Sequence, residues 1–235
     1  MSEQERLNNI TFSSYTGLNG KLITSRYRSL KPYFRGKICL ELGCADGQGT
    51  KHLLSYFDHV TAVDGSASSI KALQERYKNP KLSAVTSLFE AFETDVKYDT
   101  IVMEHILEHV EHPIEILRRS QKWLNRDGVI LVDVPNARSL HRQAGVHMGL
   151  LKKCTDLNKA DLSIGHRRVY TLETLQKDIE KSGLCVLETG GFFIKPLSNK
   201  QIEDSWSEAL IDAYYTLGAE YPDIAAEIFA VCKAL

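Results

Sequence analysis

Short apolar runs alternate with amphipathic, charge-bearing stretches along most of this chain. Five runs read as buried strands: Ile38–Leu42, His59–Val63, Lys81–Val85, Tyr98–Met103 and Val129–Val134, the last the most apolar. Helical stretches lie between them: Lys51–Tyr56, then Ser68–Lys78 with Ser66 as its cap and Pro80 beyond its end, and Ile114–Leu124 opened by His112–Pro113. Leu22–Tyr33 predicts a helix ahead of the first strand. Thr171 caps a helix over Leu172–Ser182, and Leu184–Leu187 and Phe192–Ile194 read as two final strands. Ile202, Trp206, Leu210 and Tyr214 recur every fourth position, which predicts one helix over Gln201–Leu217. Pro222 reads as the start of a last helix.

Alternating strands and helices predict an α/β fold, a parallel sheet wound with helices on both faces. A chain of 235 residues suits one domain. The expected parts are an N-terminal helical cap (1–36, with Phe12 and Tyr15 among its aromatics), the sheet, an insertion at 137–170 that interrupts the alternation, and C-terminal helices over 201–235. Composition adds exclusions. The net charge of −1 gives no global basic footprint for nucleic acid. No signal-like or membrane-length apolar run is present, so the expectation is a cytoplasmic protein with no membrane partner. The five cysteines are odd in number and lack a CxxC pair, which argues against a disulfide framework or a thiolate metal site.

Ligands in such sheets bind outside the carboxyl ends of the strands. The stretch Lys37–Thr50, KICLELGCADGQGT, is the first candidate: a strand that breaks into a loop carrying Gly43, Gly47 and Gly49. Asp64, 23 positions after Glu41, ends the second strand and suits a carboxylate accepting from ribose hydroxyls. Two ligand classes use this arrangement, dinucleotides and S-adenosylmethionine. The dinucleotide pattern G-x-G-x-x-G is absent, since Ala45 stands where the second glycine would be. Glu41 and Asp46 also place negative charge beside the loop, which repels a pyrophosphate and attracts an ammonium or sulfonium.

LELGCADG, VTAVDGS, YDTIVMEHILEHVEHP and GVILVDVPN, in that order, resemble the signature segments of class I S-adenosylmethionine-dependent methyltransferases. The resemblance runs from about Ile38 to Ile194. It implies a Rossmann-like, doubly wound, mostly parallel seven-stranded sheet with S-adenosylmethionine over the first two strands and S-adenosylhomocysteine as product. It also implies that Glu41, Gly43, Ala45 and Gly47 shape the methionine pocket, and that Asp64 with Gly65 and Ser66 holds the ribose. Leu88 and Phe89 then lie near the adenine, and Glu104 and His105 flank the methyl group. Arg26 or Arg28 is the candidate partner for the methionine carboxylate.

His105, Glu108, His109 and His112 crowd one stretch. A hydroxyl acceptor needs a base as the new bond forms, and a histidine suits that task. His105 is the first candidate, followed by His109; His112 reads as structural at a helix start. The pattern H-x-x-E-H with a distant His166 also resembles a divalent-metal site of some methyltransferases, made of His105, Glu108, His109 and His166. Replacement of the first carboxylate by histidine makes metal the less favoured reading.

The insertion Ala137–Tyr170 carries seven basic residues against two acidic ones, +5 in a chain of −1. Its position predicts a lid over the acceptor, and its charge predicts an anionic small molecule. His141, Arg142 and Arg167 are candidate acceptor contacts, and His166 a third candidate for catalysis. PNARSLHRQAGVHMGLL, GHRRVYTLETL and FIKPLSN resemble small-molecule methyltransferases of surface-polysaccharide and natural-product pathways. The expected activity is therefore O-methylation of a phosphorylated sugar, nucleotide-sugar or polysaccharide precursor, with a homodimer allowed. The alternatives are an N-methyltransferase of an amino sugar, an RNA methyltransferase, and a non-catalytic relative that binds a protein partner.

Overall fold

A computed structural model of the chain describes Leu7 and residues 17–235. The expected N-terminal cap therefore lies partly outside the described residues, Phe12 and Tyr15 included. The rest of it forms α1 (Gly17–Leu30), followed by a 3-10 turn (Lys31–Tyr33). The chain then runs through β1 (Ile38–Leu42), α2 (Gln48–Tyr56), β2 (His59–Asp64), α3 (Ala67–Arg76), β3 (Leu82–Thr86), β4 (Tyr98–Glu104), α4 (Pro113–Trp123) and β5 (Leu124–Pro135). Two short helices occupy the insertion, α5 (Leu140–His147) and α6 (Lys159–Ser163). After them come α7 (Leu172–Lys181), β6 (Leu184–Phe192), α8 (Asn199–Ser205), α9 (Glu208–Glu220) and β7 (Glu227–Ala234).

The seven strands form one sheet in the order β3-β2-β1-β4-β5-β7-β6. β1 pairs parallel with both β2 and β4, so strand order reverses there, the position at which a ligand crevice opens. The central strands are buried on both faces: Leu40, Leu42, Ile101 and Met103 belong to one apolar cluster, and Cys39, Val60, Val102 and Leu131 to the opposite one. Near-continuous apolar strands are what two covered faces require. Among the described residues, no helix is long and apolar enough to cross a membrane.

Three expectations at the C-terminal end need correction. The predicted last helix is a strand: Pro222 opens only a 3-10 turn, and β7 enters antiparallel between β5 and β6. The run Ile228–Cys232 is buried in the sheet centre. Of the two predicted final strands only one forms: β6 runs on through Gly190 and Gly191 and ends at Phe192, and Phe193 turns left-handed (φ 59°), so Phe192–Ile194 is no separate strand. A methyl group on Gly190 would lie 2.4 Å from the Phe229 ring, so glycine admits close cross-strand packing. The single predicted helix over Gln201–Leu217 is broken at extended Trp206, because Ser198 and Ser207 each cap a helix of their own. Ile202, Trp206 and Tyr214 still pack into one cluster, whereas Leu210 is exposed.

Candidate active site

The loop from β1 to α2 is shaped by left-handed backbone at Gly43, Ala45 and Gly47, with φ of 81°, 43° and 82°. Gly43 donates to the Val63 carbonyl at 2.7 Å, which ties the end of β1 to that of β2. A methyl group on Gly43 would sit 2.1 Å from Ile106 Cδ1, so the loop after β4 presses directly on this backbone. Asp46 does not contribute free charge to the site as its sequence position suggested. Its side chain lies 3.4 Å from the Arg76 guanidinium and accepts from Gln48 N.

Asp64 joins the two neighbouring loops. Oδ2 accepts from Ala45 N at 3.1 Å and Oδ1 from Ser66 N at 2.8 Å, while Ser66 Oγ caps α3. Burial pushes this carboxyl above its ordinary range, against the pull of those amide donors. Asp64 lines a cavity of about 350 Å³ together with Gly43, Ala45, Gly65, Leu88 and Phe89. Leu7 closes the cavity from outside, its side chain against Gly65. Gly47, Ser66 and Glu41 support this cavity from behind and do not line it.

A second feature surrounds Gly49. A methyl group there would meet Tyr27 Oη at 2.5 Å, Glu41 Oε1 at 2.9 Å and Glu104 Oε2 at 3.2 Å. Three polar atoms thus converge on one small space. Tyr27 Oη has no hydrogen-bond partner although it is buried. Glu41 accepts only from Thr50 Oγ1, at 2.6 Å. Burial pushes its carboxyl up to about 8, the Thr50 bond works against this, and the charge of Asp64 adds to it. A buried carboxyl that lacks a counter-charge, beside an unpartnered phenol, is suited to a cation whose arrival would favour its ionised form.

The methyl end is an ionic cluster. Arg26 of α1 contacts Glu104 at the end of β4, Glu227 at the start of β7, and Asp133 of β5 at 3.7 Å. Its guanidinium is therefore engaged by acids and not open to a methionine carboxylate. Arg28 is exposed and reaches Ser25 on its own helix, away from the cavity. His105 stands in left-handed backbone (φ 53°), with Nδ1 3.1 Å from Glu108 and Nε2 3.4 Å from Glu227 and 3.6 Å from Asp133. Burial disfavours its charge, but Glu108 and Glu227 outweigh that and hold it well above the usual histidine range. The same carboxylates that favour the charged ring work against the role of base expected of it. Burial would raise Glu227, but Arg26 and His105 hold it well below the carboxylate range.

Three of the insertion's cations are engaged within the protein, and none of them lines the cavity. Arg142, 5% exposed, donates to the Cys154 and Asp156 carbonyls and pairs with Asp161 at 3.0 Å. Arg167 donates to the His109 carbonyl, and Arg168 to those of Leu107, Val110 and Glu111. These residues hold the insertion onto the loop after β4. His141 lies at Lys195, where burial together with the charges of Lys195 and Arg142 pushes it down to about 4. His166 is buried behind the cavity wall, edge-on to His109 with ring centroids 4.7 Å apart. Only His105, His109 and His112 among the histidines line the cavity. Glu108, His109 and His166 offer ligand atoms within 4.8 Å of one another, a geometry open to a metal ion, with His105 adjoining through Glu108.

The sheet order, the crevice at β1/β4 and the acid at the end of β2 define a Rossmann-like, S-adenosylmethionine-binding class of fold. The sequence profile described as methyltransferase domain matches residues 18–189, and the chain belongs to that family, the class I S-adenosylmethionine-dependent methyltransferases. Among curated proteins, it is 28% identical to pavine N-methyltransferase of Thalictrum flavum subsp. glaucum over 103 residues, 42% of this chain and 29% of the relative. It is 27% identical to the ubiquinone biosynthesis O-methyltransferase of Rickettsia bellii over 99 residues, 41% of each. The chain thus spans well under half the length of these relatives. Among solved structures, N-methyltransferase NodS of Bradyrhizobium japonicum WM9, in complex with S-adenosyl-L-homocysteine, aligns with a TM-score of 0.62 at 16% identity, over 98% of this chain and 96% of that one.

Glu227, Asp133 and Tyr27 were not among the residues singled out from sequence. Glu227 precedes the apolar run Ile228–Cys232, whose length and composition fit a buried strand. An acid at the boundary of such a run was the available signal.

Proposed function

We propose that this protein transfers a methyl group from S-adenosylmethionine to a small-molecule acceptor. The carrying observation is Asp64: a carboxylate at the end of β2, fixed by Ala45 and Ser66 amides, facing a cavity of about 350 Å³. The site fits the cofactor chemically. Asp64 accepts from the ribose hydroxyls, and Leu88 and Phe89 offer an apolar face to the adenine. Tyr27, Glu41 and Glu104 converge on the space at Gly49 where an ammonium needs acceptors. The bound cofactor supplies an electrophilic methyl on a sulfonium; the protein's part is to orient it and exclude water.

The basic insertion was the sequence-level reason for an anionic acceptor such as a sugar phosphate. Arg142, Arg167 and Arg168 are engaged by carbonyls and Asp161, so these three of the seven cations lend that reading no support. Arg167 and Arg168 seat the insertion on the loop after β4, although none of its residues lines the cavity. A second reading, metal-assisted O-methylation, is favoured by the grouping of Glu108, His109 and His166. Loss of turnover on chelation, restored by a divalent cation, would select it.

Binding of S-adenosylhomocysteine should raise the melting temperature by mass action, about 3 kcal/mol at a hundredfold excess over Kd. Asp64→Ala should abolish the rise. A wild-type protein that shows no shift refutes the proposal.

A further inference from the structure

The insertion carries the most exposed large apolar side chains among the described residues. Met148 and Leu150 are each 71% exposed and Leu162 60%; only the C-terminal Leu235 stands further out. These side chains project from a fixed scaffold. The amides of Leu150 and Leu151 donate to the Gly145 carbonyl at 2.8 and 3.2 Å, which folds the chain back after α5. Arg142 ties α5 to the Cys154 and Asp156 carbonyls and to Asp161 of α6. A methyl group on Gly149, between Met148 and Leu150, would meet no atom within 4 Å, so the tip stands clear of the protein. Lys152, Lys153 and Lys159 are exposed beside these apolar groups, and no carboxylate among the described residues pairs with them. The two acids of the insertion are engaged within it: Asp156 accepts from the Lys152 and Lys153 amides, and Asp161 pairs with Arg142. The outward surface therefore offers apolar side chains and ammonium groups together. The rest of the chain is net acidic, which orients this surface toward an anionic partner.

We infer that the insertion docks the protein on an anionic phospholipid surface. Met148, Leu150 and Leu162 enter the headgroup layer, and Lys152, Lys153 and Lys159 pair with its phosphates. A bilayer surface answers both kinds of group. A nucleic acid would answer the lysines and leave the apolar side chains in water, and an apolar groove on a protein would answer only the latter. The lack of a long apolar helix among the described residues bears on spanning a membrane and not on lying against one. Arg167 and Arg168 seat the insertion on the loop whose His109, Val110, Glu111 and His112 line the cavity. Docking therefore holds the cavity near the lipid. The inference concerns the outer face of the insertion and goes beyond the methyltransferase reading.

Co-sedimentation of the full chain with vesicles tests it. Vesicles of equal parts phosphatidylcholine and phosphatidylglycerol should pellet the protein. Phosphatidylcholine alone should bind about tenfold more weakly or worse, and added salt should weaken the mixed-vesicle binding. Lys152→Gln combined with Lys153→Gln should cost about tenfold or more in the mixed vesicles, and Met148→Ser combined with Leu150→Ser a similar factor. All four side chains are exposed, so both double variants should melt with the wild type; if either melts early, Lys159→Gln or Leu162→Ser is read in its place. No pelleting with mixed vesicles overturns the inference, and so does equal binding to phosphatidylcholine alone. Loss in the lysine variant without loss in the apolar one also overturns it, since the surface would then bind charge and not a bilayer. Pelleting without vesicles that Leu150→Ser abolishes would assign the patch to a second copy of the chain and overturn it as well.

Discussion

The two halves of the sheet's carboxyl edge are built in different ways. On the β1–β2 side the site is made of backbone: left-handed turns at Gly43, Ala45 and Gly47, and one carboxylate, Asp64, that joins two loops. On the β4–β5–β7 side it is made of long charged side chains from five separate elements, with Arg26 and His105 at the centre. The first half is local and rigid, since each polar group finds a partner within a few residues or across one strand pair. The second depends on the tertiary fold, and several of its buried oxygens have no partner. The first arrangement rests on the backbone of two neighbouring loops, the second on side chains that only the folded sheet brings together.

The largest effect should come from Asp64→Ala. It removes the acceptor of two loop amides and the ribose contact together, and S-adenosylhomocysteine should bind about a hundredfold or more weaker by calorimetry. An affinity unchanged by Asp64→Ala would break the contrast, because the cofactor half would then not depend on its joining carboxylate. Gly49→Ala should be next, about tenfold weaker, since its methyl meets Tyr27 Oη and Glu41 Oε1. Adding Tyr27→Phe to it should restore part of the loss, and no recovery would show that the crowding lies elsewhere.

Glu41 gives a pH test of intermediate size. Its carboxyl is raised in the folded protein, from 4.5 to about 8. The stability it contributes is therefore complete below about pH 4.5 and is lost as pH rises toward 8. A cation pairs with the ionised form, so S-adenosylhomocysteine affinity should rise over that same window. Glu41→Gln should flatten both trends in melting curves and titrations recorded from pH 5 to 8.5.

On the acceptor side, Arg142→Met should loosen the insertion. It removes the bonds to the Cys154 and Asp156 carbonyls and leaves Asp161 short of a partner, at a cost of about 2 kcal/mol. Limited proteolysis within residues 149–158 should accelerate while the S-adenosylhomocysteine shift stays. Arg28→Ala, on the exposed face of α1, should change binding by less than about twofold, and a larger effect would return it to the site.

The same contrast explains what could be read from the sequence. Gly43, Asp64 and Ser66 sit at element boundaries, and boundary chemistry is local, so spacing alone placed them. The five strands up to β5 were legible for the same reason: each apolar run is short and bounded. Arg26 and Glu227 meet across 201 positions, and no local pattern announces such a pair. β7 was misread because a proline that could open a helix outweighed the apolar run after it. The lid's charge was legible but its direction was not. A count of lysines and arginines does not show that Arg142, Arg167 and Arg168 face carbonyls of their own scaffold.

The antiparallel β7 has a consequence for synthesis. It is the last of the sheet's seven strands in chain order, yet it lies inside the sheet, with β5 on one side and β6 on the other. Until it is threaded, both neighbours present open edges of the kind that attract chaperones or other unfinished chains. Glu227 arrives with that strand, so Arg26 and His105 gain this partner only once β7 is in place.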